Sequence, residues 1–302
     1  MAKIVVVGSS NTDIVVRTPK IPAPGETVLG SDFLMVGGGK GANQAVAAAR
    51  LGGTVVFVAK VGNDMFGNQA VTALAAERID TRFVTRESQH PSGIALITVD
   101  PKGENSIVVA PGANATVTRK EIDAALQEIR VADAVLFQLE TPLETVRYGI
   151  EQSAAAGRLV ILNPAPAQKL DASLLSHISI LTPNETEAEV LTGIHVSDER
   201  SAARAAAVLH QQGVKIVIIT MGAQGAFLST SEHVQLIPSS KVNAIDTTAA
   251  GDVFSGALAV AMAEGQGIVE AVRFANAAAA LSVTKLGAQS SIPRRAEVRV
   301  TY

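Results

Sequence analysis

The chain has 302 residues, 47% of them hydrophobic, enough for one large core or a domain with an appendage. A formal charge of −3 leaves no basic patch for nucleic acid and no polybasic anchor for a membrane, so the expected ligand is a small molecule. The lack of Cys excludes disulfides and thiolate metal sites, the five His (His90, His177, His195, His210, His233) are scattered, no apolar run reaches about 18 residues, and the chain reads as cytoplasmic.

Residues 3–7 form a short β-branched run closed by Gly8, the pattern of a buried parallel strand. The turn after it, Gly-Ser-Ser-Asn-Thr-Asp, lacks G-x-G-x-x-G and with it the dinucleotide fingerprint. It sets Asn11 and Asp13 just past the carboxyl end of a strand, where open α/β sheets bind ligands; an Asx turn that stops the strand would use the same residues. The segment 14–36 alternates weakly and holds Pro19, Pro22 and Pro24, so it is extended chain outside the main sheet. Val36-Gly-Gly-Gly-Lys-Gly-Ala-Asn-Gln-Ala then opens a helix running to about Leu51. It is no P-loop, because Gly41 rather than Ser or Thr follows Lys40. The glycines let a ligand approach the backbone beside Asn43, or serve as a hinge.

Strands are expected at 54–60, 134–137, 159–162, 178–181, 215–220 and 226–229, and helices at 65–78, 143–155 and 201–212. That alternation predicts one α/β domain over 1–302, a mostly parallel central sheet covered by helices on both faces. Segment 92–110 departs from it: 93–99 and 105–109 read as a hairpin around Pro101-Lys102-Gly103, and with 14–36 would form a small β-sheet lid. Several strands end in polar residues: Leu136-Phe-Gln-Leu-Glu140, Leu162-Asn-Pro-Ala-Pro and Leu181-Thr-Pro-Asn-Glu-Thr-Glu187 should meet at one rim. Asn184 and Glu187 also have capping-box spacing. Thr220-Met-Gly-Ala-Gln-Gly225 is a turn between two strands.

Asp246-Thr-Thr-Ala-Ala-Gly-Asp-Val-Phe-Ser-Gly256 carries the most chemistry. Small residues open an Ala-rich helix whose first amides lack intrahelical partners, a ready anion site. Asp252 in that turn either complements the helix dipole or takes the proton of whatever attacks a bound phosphate.

This segment resembles the C-terminal signature of the ribokinase-like (PfkB) sugar kinases, Asp-Thr-x-x-Ala-Gly-Asp, and ordered matches extend from Gly8 to Gly287. The resemblance implies a Rossmann-like α/β fold with a small β lid, Asp252 as the catalytic base, and the amides of Ala249, Ala250, Gly251 and Asp252 as an anion hole. It puts Asn11, Asp13, Gly39, Lys40, Gly41, Ala42, Asn43, Glu140 and Asp252 at the sugar. Asn184, Thr220, Met221, Gly222, Ala223, Gln224, Gly225, Gly251 and Asn276 fall along ATP, with Asn276 standing where relatives often have His near the adenine. Glu187 falls in the Mg²⁺ region, where carboxylate and amide oxygens suit a hard cation. Asp246, Thr248, Ser282, Lys285, Gly287 and Ser291 match a K⁺ loop built largely from backbone oxygens. Gly-Gly-Lys-Gly-Ala-Asn-Gln-Ala, Gln-Leu-Glu140 and Asn-Pro-Ala-Pro are most similar to members acting on ribose, which implies transfer from ATP to the 5-hydroxyl of D-ribose, with Mg²⁺ and activation by K⁺. A kinase of 2-deoxyribose, fructose or adenosine, or a non-catalytic sugar-binding regulator, would share these features. Relatives pair lid on lid, so a homodimer through the lid is expected.

Overall fold

Alternation within Lys3–Val7 (β1) sends Ile4 and Val6 to one face of a sheet and Val5 and Val7 to the other, and all four are fully buried. A strand apolar on both faces needs helices on both. The computed structural model describes residues 2–101 and 103–300, and the chain meets that need in order. β2 (Asn11–Arg17), β3 (Phe33–Gly38), α1 (Lys40–Arg50), β4 (Thr54–Gly62), α2 (Met65–Ala76), β5 (Val84–Glu87), β6 (Gly93–Val99) and β7 (Asn105–Ala110) come first. Then follow α3 (Arg119–Ala124), α4 (Leu126–Arg130), β8 (Ala134–Phe137), α5 (Leu143–Ala155), β9 (Leu159–Leu162), α6 (Ala172–Leu175), β10 (Ile180–Leu181), α7 (Glu185–Thr192) and α8 (Glu199–Gln211). β11 (Ile216–Thr220), β12 (Ala226–Ser229), β13 (Val234–Ile237), α9 (Ala250–Ala263) and α10 (Ile268–Ser282) complete it.

The main sheet has nine strands in the order β13-β12-β11-β10-β9-β8-β1-β4-β5, all running the same way except β12, which is antiparallel to both of its neighbours, β11 and β13. Strand order reverses beside β1, whose neighbours are β4 and β8, and such a switch point leaves a crevice at the carboxyl ends. Two apolar clusters lie on opposite faces, one holding α1, α9 and α10, the other α5 and α8. A second sheet, β3-β2-β6-β7, is built from the two segments expected to form it. Its β2 and β6 are parallel and its outer pairs antiparallel. Every residue of β7 is exposed, as are Phe33, Leu34 and Met35 of β3.

Several boundaries differ from the sequence-based expectation for local reasons. The glycine run does not open the helix: Gly37 and Gly38 pair with Thr12 and Asn11 as the end of β3, and the helix starts at Lys40. Asn11 and Asp13 are therefore ladder residues of β2 rather than turn residues past β1. Helix 65–78 stops at Ala76, before Arg78 takes a φ of 62°. Helix 201–212 begins at Glu199, because Asp198 caps it by accepting from the Ser201 amide at 2.7 Å. Strand 54–60 extends to Gly62, 178–181 shortens to Ile180–Leu181, and 215–220 starts at Ile216. β5 and β13 went unanticipated because neither carries the continuous apolar run of a central strand. Lys102 of the expected hairpin turn lies outside the described residues.

Candidate active site

Polar residues follow the central strands at one level. β8, β9 and β10 end at Phe137, Leu162 and Leu181, which pair across the sheet, so Gln138, Asn163 and Thr182 form a row just beyond the apolar register. α1 and α9 pack against each other above this rim. Their approach is close at Gly256, where an added Cβ would lie 2.7 Å from the Ala47 Cβ and 2.9 Å from the Gln44 carbonyl. One turn earlier on α9, Asp252 thereby reaches the first turn of α1. Its Oδ2 accepts from Asn43 Nδ2 at 2.9 Å and its Oδ1 from Gln44 Nε2 at 3.1 Å.

The electrostatics centre on this carboxylate, which is 4% exposed. Burial pushes its pKa up, while the Lys40 ammonium and the hydrogen bonds from Asn43 and Gln44 pull the other way; the balance is a raised pKa. Burial works against the charge of Lys40, but Asp252, Glu140 and Glu187 outweigh it and hold the ammonium above the ordinary lysine value. Asp13 is raised to about 6 by burial and then by Glu140 and Asp252. Three carboxylates thus face one cation, which suits a site that receives phosphate and hydroxyls together.

Glu140 Oε2 accepts from Ser9 Oγ at 2.5 Å and from the Lys40 amide at 2.9 Å, tying the end of β8 to the start of α1. Asp13 lies over Gly38, whose added Cβ would fall 2.2 Å from either carboxylate oxygen. Asn11 Oδ1 accepts from Asn114 Nδ2 at 2.7 Å. The Oδ1 of Asn43 is buried with no partner, leaving an acceptor for a ligand. Ala249 opens α9 with a φ of 62°, an uncommon backbone for a residue with a Cβ. The Ala250 amide donates to the Thr247 carbonyl at 3.2 Å, so position alone leaves the amides of Gly251 and Asp252 ahead of any intrahelical acceptor.

Lys40, Asn163, Thr182, Asn184, Glu187, Thr220 and the Ala249–Asp252 turn (249–252) line a polar cleft of 190 Å³. It continues past Asn184, Thr220, Ala250 and Gly251 into a more apolar cleft of 590 Å³ walled by Val242, Phe254, Ala279, Ala280 and Val283. Of the turn expected along ATP, Thr220, Gly222, Ala223 and Gly225 line this cleft, whereas Met221 is buried in the core and Gln224 is not among the lining residues. Asn276 reaches the cleft but spends its amide on the carbonyls of Ile237 and Pro238, at 2.9 and 3.4 Å. Asn184 and Glu187 make a complete capping box, in which Glu187 oxygens accept from the Asn184 amide and its Nδ2 at 2.8 and 3.1 Å. Of the expected K⁺ loop, Asp246, Thr248 and Gly287 come together: Asp246 accepts from Thr248 N and Oγ1 and from the Gly287 amide. Burial opposes, but these bonds hold the Asp246 carboxyl below its usual range. The Lys285 side chain points away, to Glu297, while Ser282 and Ser291 bond nearby carbonyls. Among the described residues no cluster of three His, Asp or Glu is placed to hold a metal ion.

Sequence reasoning passed over Gln44, Gln138, Asn163 and Asn114. The first three stand inside segments already singled out, and their position directly after an apolar strand, or beside Asn43, was the available signal.

Comparison with known proteins agrees with this architecture. The model of the pfkB family carbohydrate kinases matches residues 1–295. The chain is 49% identical over 294 residues to the ribokinase of Haemophilus influenzae, covering 97% of this chain and 96% of that protein. It is 39% identical over 291 residues to the deoxyribokinase of Salmonella typhi, covering 96% and 95%. Its fold superposes on the structure of Arabidopsis thaliana ribokinase complexed with ribose and ATP with a TM-score of 0.91 at 36% identity, covering 99% of this chain and 98% of that one. The chain therefore belongs to the pfkB family of carbohydrate kinases.

Proposed function

We infer that the chain transfers the γ-phosphoryl group of ATP to the 5-hydroxyl of D-ribose. The observation that carries the reading is Asp252: a buried carboxylate at the start of α9, held by two amides and facing Lys40 beside a polar cleft. The ribokinase relatives and the solved ribokinase with ribose and ATP support the substrates. Asp252 takes the proton of the attacking hydroxyl, while Lys40 and the amides of Gly251 and Asp252 face the transferring group. The orphan Oδ1 of Asn43, with Asp13 and Glu140, supplies acceptors for sugar hydroxyls. The apolar cleft takes the nucleoside, and the polar cleft its phosphates.

Mg²⁺ bound with the nucleotide would neutralise phosphate charge; Glu187, both of whose oxygens already accept from Asn184, would hold it through water. The Asp246 carboxylate, gathered with Thr248 and Gly287, would supply hard oxygen to an alkali cation such as K⁺, which would fix positive charge next to the anion site. The exposed apolar strands of the small sheet fit a homodimer that covers them, and the chain's composition fits a cytoplasmic enzyme. Among the described residues no helix is long and apolar enough to cross a membrane.

The test is ADP release with D-ribose, 2-deoxyribose, fructose and adenosine, comparing the parent with Asp252→Asn. Selective turnover on ribose, falling by about 10² to 10⁴ in the variant, is expected. Preference for 2-deoxyribose would move the chain toward its deoxyribokinase relatives, and a variant with parental kcat would remove Asp252 from the chemistry.

A further inference from the structure

The carboxylate of Asp252 is held by more than its immediate neighbours. Gln44 Nε2 donates to Asp252 Oδ1 at 3.1 Å and also to Asn163 Oδ1 at 3.2 Å, while Gln44 Oε1 accepts from Gln138 Nε2 at 2.6 Å. Asn163 Nδ2 in turn donates to the Thr182 carbonyl at 3.1 Å. Hydrogen-bond logic fixes the direction of each amide. Turning Gln44 over would point its oxygen at a carboxylate and an amide oxygen, two acceptors. Gln138 must then present its nitrogen, although that leaves its own Oε1 buried without a partner. That oxygen is packed over Gly8, where an added Cβ would lie 1.9 Å from it. A buried amide with one end unmatched calls for an explanation, and here its other end orients Gln44.

We propose that Gln44, oriented by Gln138, is the positioning residue that sets the plane of the Asp252 carboxylate before the sugar binds. One N–H on each carboxylate oxygen, from Gln44 and from Asn43, fixes the rotation of the group and directs a remaining lone pair toward the attacking hydroxyl. The charged groups that act on Asp252 from the surrounding elements are Lys40, Glu140, Asp13 and Glu187. Against them a neutral donor favours the ionised base without adding charge to the phosphate site. The inference rests on Asp252 as the base, and Gln138 acts through Gln44 alone.

The experiment compares Gln44→Leu, Gln138→Leu, the double variant and Asp252→Asn by steady-state kinetics across pH and by calorimetric titration with ribose. Gln44→Leu should lower kcat by about 10- to 100-fold, leave ribose affinity near parental, and move the acidic limb of kcat/KM to higher pH. Gln138→Leu should lose less, in the same direction, and add nothing in the Gln44→Leu background. If Asp252→Asn is inactive while Gln44→Leu keeps parental kcat and pH limb, the proposal fails with the base intact. If the two glutamine effects multiply independently, the relay fails; if Asp252→Asn is itself active, the base falls and the positioning role with it. Should Gln44→Leu not fold, Gln44→Asn, which withdraws the amide by one methylene, carries the same expected loss and the same refuting result.

Discussion

Gly256→Ala tests whether the contact between α1 and α9 sets the reach of Asp252. The new Cβ would lie 2.7 Å from the Ala47 Cβ, 2.9 Å from the Gln44 carbonyl and 3.1 Å from the Ala48 amide. Two carbons rest at about 3.5–4.0 Å, so the helices must part by about 1 Å. Ala is favoured over Gly inside a helix by about 0.8–1.0 kcal/mol, while overpacking costs about 1–3 kcal/mol. The net is a loss of up to about 2 kcal/mol, read as a fall in Tm of a few degrees. Activity should suffer more. Asp252 meets Asn43 and Gln44 at 2.9 and 3.1 Å, and a further ångström carries both beyond hydrogen-bond range. A displacement of about 1 Å in a reacting group can cost about 10²-fold. Thermal melting and ADP release at saturating ribose and ATP measure the two effects separately. A variant that melts above the parent and keeps its kcat would show that the helices have room and that their approach does not govern the base.

Asp13, with a folded pKa of about 6 against an ordinary 3.8, binds its proton more tightly in the folded chain. The stability linked to that proton is complete below about pH 4 and lost as pH rises through about 6, so Asp13→Asn should reduce the fall in Tm between pH 5 and pH 7; equal slopes in parent and variant would refute it. Val108, 64% exposed on the outer strand of the small sheet, should be covered in a dimer, so Val108→Lys should sediment as a monomer where the parent does not; a monomeric parent refutes the dimer. Asp246→Ala removes the acceptor shared by Thr248 and Gly287 and should abolish the proposed activation by K⁺, measured by titration with KCl against NaCl; a parent indifferent to K⁺, or a variant with an undiminished response, would refute it. Asn184→Ala breaks the capping box and should cost about 1 kcal/mol by denaturant titration, with no change in the midpoint counting against it.

The central strands were legible because burial on both faces writes them as unbroken apolar runs: Ala134–Phe137 and Leu159–Leu162 fall where the composition puts them. Asp252, the residue proposed as the base, stood out too, as a carboxylate among small residues. Side-chain networks did not. Gln44 is one of several polar residues in the first turns of α1, and its role appears once Gly256 lets α9 close on that turn, a contact between positions more than 200 residues apart. The glycine run misled for the opposite reason: Gly37 and Gly38 have no side chain to announce a strand, yet their backbone completes a ladder. Gln138 and Asn163 were visible as strand ends, but their register with each other is a property of the sheet.

The two sheets are joined by very little chain. Gly8, Ser9 and Ser10 alone separate β1 from β2, and Gly39 alone separates β3 from α1. Ser9 is fastened to Glu140 and Ser10 to Asn114, so even these short joints are pinned. Such joints have almost no slack. Any tilt of the small sheet would therefore be passed to α1, the helix that carries Lys40, Asn43 and Gln44. A residue inserted beside Gly39 would put slack into that connection.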